Sequence, residues 1–200
     1  MPRHTRAKGQ ALVEFALAAT LIFFLLAAVV DLGLIFFTLQ GLHNAAEEGA
    51  TYGSRWPVAT STGMALDYSG IRSRTRMEAG NRGTGFANLL DLNNNGQDDT
   101  IDDPGGLDDP SGTSVFPTYI QVNALQDVDA DGNPLNDFGA DGRNVPCPDI
   151  ANSTIERCFV QVVVSTEYRM LFPLAPGFTR QLRLSSSYVI EMRSGLTQTN

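Results

Sequence analysis

The sequence is poor in the residues on which most catalytic sites depend. Two histidines occur in the 200 residues, His4 and His43, and residues 50–200 hold neither histidine nor lysine. A Ser–His–Asp triad, a Cys–His pair and a Ser–Lys dyad are therefore excluded from that part of the chain. Carboxylate-only chemistry such as glycoside hydrolysis stays open. The acids, however, lie in Gly- and Asn-rich stretches, and no pair stands out as placed in a pocket. A non-enzymatic protein is the expectation. Cysteine is as scarce. Cys147 and Cys158, with no histidine nearby, make a poor zinc site. In an oxidising compartment they would close a short disulfide loop, typically worth about 2–4 kcal/mol. Reduced buried thiols are the alternative, and export of this region would favour the bridge.

Net charge is unevenly distributed along the chain. Residues 1–9 carry Arg3, Arg6 and Lys8 and no acid, so a net charge of −8 leaves −11 on the remainder. Such an acidic body argues against nucleic acid as a partner. What the sequence does have is a long apolar run, Ala11 to Phe37, interrupted by Glu14 and Asp31. A basic stub before an apolar run reads as the cytoplasmic flank of a single membrane-spanning helix, with the acidic head across the membrane. The uncharged core, Phe15 to Val30, is short for a span of about 20 residues, and Ala11–Val13 and Leu32–Phe37 extend it on both sides. A cleavable secretory signal would need a small-x-small site after the apolar core. The nearby Ala16–Leu17–Ala18 lies too early, so the segment is expected to stay.

Beyond Phe37, Leu39, Leu42, Ala46 and Ala50 fall near helical spacing, with Gln40, Asn44, Glu47 and Glu48 as polar positions. This predicts one helix over 10–54, membrane-spanning over about 11–37 and amphipathic beyond, ended by Trp56–Pro57. From Gln10 to Ser54 it would measure about 68 Å at ~1.5 Å per residue. A weaker helix is expected around Met64, Leu66, Tyr68, Ile71 and Met77, and loops over about 80–112 and 126–152. "TYIQVNAL", "FVQVVVSTEY" and "RQLRLSSSYVIEMR" read as strands, the last placing Leu182, Leu184, Tyr188, Ile190 and Met192 on one face. The expected fold class is α+β: a long N-terminal transmembrane and amphipathic helix packed on a small antiparallel sheet within a head spanning 55–200.

Glu14 is the costly residue in the run, because a charge in apolar surroundings needs a partner or a purpose. If a peptidase cut between Gly9 and Gln10, the new α-amino group, a cation with a reference pKa near about 8, would lie close to it. Between bundled subunits, one Glu14 would then pair with a neighbour's amino terminus and set their register. A Glu snorkelling to the interface beside Lys8 is the alternative from position alone.

The stretch "KGQALVEFALAATL" resembles the class III prepilin signal of type IV pilin-like proteins, with Gly9, Glu14 and Phe15 at the matching positions. The wider pattern is similar to the TadE-like pseudopilins of the tight-adherence (Flp) pilus. It is carried by "GQALVEFAL", then Asp31 and Gly33, then "NAAEEGATYG" at 44–53, and more weakly by "LFPLAPGF…LRLSSSYVIEM". The resemblance implies residues 1–9 as a leader removed by a prepilin peptidase, an inner-membrane location and partnership with other pilin-like subunits and an assembly platform. Gln10 stands where many type IV pilins have an N-methylated Phe. A head larger than that of the short major pilins points to a minor subunit. The runner-up function is a permanently anchored, calcium-stabilised adhesion or binding module, and a third an exported carbohydrate-active protein.

Calcium enters through two loops. Asp91, Asn93, Asn95, Gly96 and Asp102 follow the calcium-loop template with Asp for the final Glu, and Asp99 at position nine could add a ligand. Asp127, Asp129, Asp131 and Gly132 begin a second such loop, whose nearest late acid is Asp137. For both, the other reading is a solvated loop in which Asp and Asn cap local turns.

Overall fold

The computed structural model describes residues 7–55, 58–60, 63–78, 89–92, 118–133, 135, 137–139, 142–147, 157–171 and 181–192. The chain divides into two compact units: Met1–Phe37 with Tyr168–Leu182, and Thr38–Glu167 with Arg183–Asn200. Helix α1, Ala7–Arg55, contributes to both. It stops one residue before Trp56–Pro57, as expected from the missing proline N–H and the restriction proline places on the residue before it.

In the first unit α1 is apolar on every side, and the consecutive residues Leu21 to Leu26 are all more than half exposed or at that level. In the second unit its burial becomes periodic. Thr38, Gly41, Leu42, Ala45, Ala46, Gly49, Ala50, Gly53 and Ser54 are buried, spaced by three and four, while His43, Asn44, Glu47 and Glu48 are exposed. Apart from Leu42, that stripe is made of small residues, so a neighbouring element can approach closely. The neighbour is α2, Tyr68–Glu78, through Ile71 and Thr75. Asp67 starts α2: its Oδ1 accepts the Gly70 N–H at 2.9 Å and the Ser69 hydroxyl at 2.7 Å. The helix is shorter than the apolar set suggested. Met64 lies in a short strand, β2 (Gly63–Ala65), paired with β1 (Val58–Thr60), and Met77 is 70% exposed. Thr75 is buried in its place, bonding back to the Ile71 carbonyl.

The sheet of the second unit is four-stranded and antiparallel, in the order β4 (Arg143–Pro146), β3 (Tyr119–Val128), β5 (Phe159–Arg169), β6 (Gln181–Glu191). Ile120 faces Val164, Val122 faces Val162 and the half-buried Ala124 faces Val160, so one side carries a ladder in which Ile120 and the four valines are buried and β-branched. Burial of each valine contributes about 2 kcal/mol. Val160 meets the outer half of α1 at Gly53, and the packing of helix on sheet is as the sequence predicts. Strand β4 is a correction, since all of 126–152 reads as loop in sequence. Four residues with an arginine, an asparagine and a proline carry no strand signal, and pairing with β3 makes the strand. On β6, Leu184 alone of the five face residues is buried; Leu182, Tyr188, Ile190 and Met192 are half-buried.

Candidate functional site

Helix α1 already runs through the Gly9–Gln10 junction. Gly9 is exposed and has no neighbour within 4 Å of the position a β-carbon would take. One turn on, the Gln10 side-chain amide donates to Glu14 Oε1 at 3.0 Å, an i,i+4 pair on the helix surface. Phe15 is 72% exposed. Glu14, read from sequence as a charge set in an apolar run, is thus open to partners outside the chain. The exposed apolar surface of residues 12–37 surrounds it on the helix. The structure brings Gln10 and Glu14 together and places Gly9 and Phe15 beside them on α1.

Among the described residues from 9 to 37, Asp31 is the one that is buried, at 2% exposure. Its Oδ1 accepts the backbone N–H of Leu171 at 3.0 Å and the Tyr168 hydroxyl at 3.4 Å. The chain leaving β5 therefore turns against α1 at Asp31, within the first compact unit. Sequence reasoning named Asp31 only as part of a pattern. The signal was present, because a second acid in an apolar run requires a partner as much as the first does.

Of the first acidic loop, Asp91 is described and buried, next to the Leu89 and Leu90 carbonyls that accept from the Arg76 guanidinium at 3.0 and 2.6 Å. Asn93, Asn95, Asp99 and Asp102 lie outside the described residues. The second loop joins β3 to β4. Asp127 is buried at the strand end, and its Oδ2 accepts the Gly139 N–H at 2.8 Å. Its Oδ1 packs against Gly142 and has no hydrogen-bond partner among the described residues. Asp129 does something else. It accepts the N–H groups of Asp131 and Asn133 at 2.9 and 2.8 Å and the Asn133 side-chain amide at 3.2 Å. These bonds, those from Asn133 foremost, hold its carboxyl below the ordinary carboxylate range. Gly132 takes a φ of 89°, the left-handed turn that the template's glycine provides. Asp131 and Asp137 are exposed. Among the described residues no group of three or more acids, histidines or cysteines is placed to hold a metal.

Cys147 and Cys158 form a disulfide, with Cα atoms 6.0 Å apart. It joins the residue after β4 to the residue before β5, and both ends are also held by backbone bonds. The Cys147 N–H reaches the Ala124 carbonyl at 3.0 Å, and the Met192 N–H reaches the Cys158 carbonyl at 2.8 Å. His43 lies on the exposed side of α1, its Nδ1 3.3 Å from Ser186 Oγ and its ring edge-on to Tyr188. It is a helix-surface residue, as its position in sequence suggests.

α1 is a helix long and apolar enough to cross a membrane. No curated protein and no solved structure matches the chain. A family model does: residues 9–51 match TadE-like protein, a family of the tight-adherence pilus system. The matched segment begins at Gly9, takes in Glu14, Phe15, Asp31 and Gly33, and ends within the small-residue stripe that faces α2. Residues 9–51, nearly the whole of α1, are thus the TadE-like part of this chain.

Proposed function

We propose that the protein is a minor pilin-like subunit, a pseudopilin, that takes part in assembling a tight-adherence pilus. In this reading residues 1–9 are a cytoplasmic leader, which a prepilin peptidase removes between Gly9 and Gln10. Residues 11–37 hold the chain in the inner membrane as a single span, with the head outside the cytoplasm. The role is structural: α1 bundles with other pilin-like subunits and the assembly platform, and the sheet is presented beyond the membrane.

The observation that carries this reading is one unbroken helix, matched to the TadE-like family over 9–51, whose inner half is apolar and exposed all round. Such a surface is stable only in lipid or against other helices. Glu14, five residues after Gly9 and free to reach outside the chain, supports the same reading. It offers a neighbouring subunit's new amino terminus the countercharge that a low-dielectric bundle requires. Intact mass and N-terminal sequencing of the membrane-purified chain, expressed with and without a prepilin peptidase, test it. A start at Gln10 that depends on the peptidase is expected. An uncut chain in the presence of an active peptidase would overturn the processing step.

A second reading, a permanently anchored and calcium-stabilised binding module, draws on Asp127. A cation would satisfy its buried Oδ1, which has no hydrogen-bond partner among the described residues. A thermal midpoint that does not move between chelator and millimolar calcium would remove this reading, whereas cleavage at Gly9 would favour the first.

A further inference from the structure

We propose that the turn after β5 is a membrane foot: Tyr168–Leu171, seated on α1 at Asp31, places Leu171 in the outer-leaflet boundary of a phospholipid bilayer. The inference rests on the reading of residues 11–37 as a membrane span, and four observations lead from that reading to the turn.

The first is depth. Asp31 lies six residues before Phe37, the end of the apolar run, which is about 9 Å along the helix at ~1.5 Å per residue. A segment bonded to Asp31 is therefore held below the level at which the apolar surface ends. The second is the surface around it. Val29, Val30, Leu32, Phe36 and Phe37 are 47–69% exposed, so the helix at this level offers apolar surface on the sides that the turn does not cover. Leu171, seated at the same level, is itself 61% exposed and extends that surface.

The third is hydrogen bonding. Irregular backbone at membrane depth survives only where its polar groups find partners within the protein. The Leu171 N–H finds one in Asp31 Oδ1 at 3.0 Å, and the same bond, with the Tyr168 hydroxyl, gives a buried carboxylate partners of its own. Each group would be costly at this depth alone, and together they are satisfied. The fourth is composition. Tyr168 and the exposed Arg169 stand on the side leading from the sheet, the residue types that settle at a membrane–water interface. The sequence after Leu171, Phe172 to Phe178, carries no charge.

The test uses the full chain in vesicles of phosphatidylcholine with a minority of phosphatidylglycerol, the choline lipid brominated high on its acyl chains for a reporter at position 171 and near the chain ends for one at position 23. Trp56, the one tryptophan, is replaced by phenylalanine, and a reporter is introduced as Leu171→Trp or, for the span itself, Phe23→Trp. Emission from both reporters is expected to fall about twofold against unbrominated vesicles, as for side chains within the acyl boundary. Adding Asp31→Ala should abolish quenching at position 171 and leave it at position 23, and Asp31→Asn, which keeps an acceptor oxygen, should preserve both. Quenching at 23 without quenching at 171 overturns the foot and leaves the span intact. Blue-shifted but unquenched emission at 171 would mean that a second copy covers Leu171, and it too overturns the proposal. No quenching at 23 overturns the span, and the foot with it. Quenching at 171 that survives Asp31→Ala removes Asp31 as the residue that seats the turn.

Discussion

Gly53 of α1 stands so close to Ile71 of α2 that a β-carbon added to it would meet Ile71 Cδ1 at 2.6 Å and Val160 Cγ1 at 3.1 Å. One turn earlier, a β-carbon on Gly49 would collide with the Thr75 hydroxyl, which is already bonded to the Ile71 carbonyl. The two glycines thus form a notch into which Ile71 and Thr75 fit. Gly53→Ala is expected to destabilise the head by about 1–3 kcal/mol, the usual result of forcing extra carbon into a filled contact. Gly33→Ala, where nothing lies within 4 Å, should leave its stability unchanged. Urea unfolding of both variants in detergent, followed by near-ultraviolet circular dichroism, makes the comparison. Equal midpoints would refute the notch.

The disulfide has a separable effect. It closes a loop between residues 11 apart in sequence, where the chain-entropy argument gives about 3 kcal/mol. The double variant Cys147→Ser, Cys158→Ser should lose about that much. Reduction of the wild-type chain should lower its urea midpoint in the same way, while reductant should leave the double variant unaffected.

Asp67 makes stability depend on pH at the acid end. The Gly70 N–H, then the Ser69 and Tyr52 hydroxyls, hold its carboxyl below the ordinary value of 3.8. A lowered folded-state pKa contributes stability that is present above the unfolded value and lost as pH falls through the folded one. Asn caps a helix about as well as Asp but does not titrate. The wild-type chain should therefore exceed Asp67→Asn in stability near neutrality. That gap should close on acidification below the ordinary carboxylate range. A gap that is constant with pH would show that the charge of Asp67 contributes nothing.

These expectations show which features the sequence made legible. The helix to within a residue of its end, the three long strands and the α+β class could be read: the helix from a long apolar run continued at helical spacing, β3 and β6 from alternation, and β5 from its density of β-branched and aromatic residues. Strands β1, β2 and β4 could not, since three or four residues have no period and exist through their partners. In the candidate site, Gly9 and Glu14 were legible as local spacing. The contact of Asp31 with Leu171 spans 140 positions and has no local signature. The stretch "NAAEEGATYG" was legible as a resemblance before it had a physical reason, and the Ile71–Thr75 contact supplies one. The second acidic loop has two readings in sequence, a calcium ligand set or a solvated loop whose Asp and Asn cap local turns. In the structure Asp129 is a turn cap and Asp127 a buried strand-end residue, a division set by where β3 ends.

Glu14 makes the prediction that bears most directly on function. On α1 it bonds to the side-chain amide of Gln10, whose backbone nitrogen belongs to the bond that a prepilin peptidase would cut, and Glu14 itself lies a helical turn beyond that bond. Glu14→Ala should therefore leave cleavage after Gly9 largely intact. Assembly is another matter, because a bundle that buries one subunit's amino terminus against a neighbour's Glu14 would be left with an unpaired cation. Loss of such a pair commonly costs about 3–5 kcal/mol, more than enough for a tenfold fall in assembled material at about 1.4 kcal/mol per decade. Counting surface pili in cells expressing Glu14→Ala, with Glu14→Asp as a partial rescue, separates the two steps. Wild-type piliation with normal cleavage would mean that Glu14 pairs with no neighbour. Failed cleavage would mean that the residue serves recognition by the peptidase and leaves its role in assembly without support.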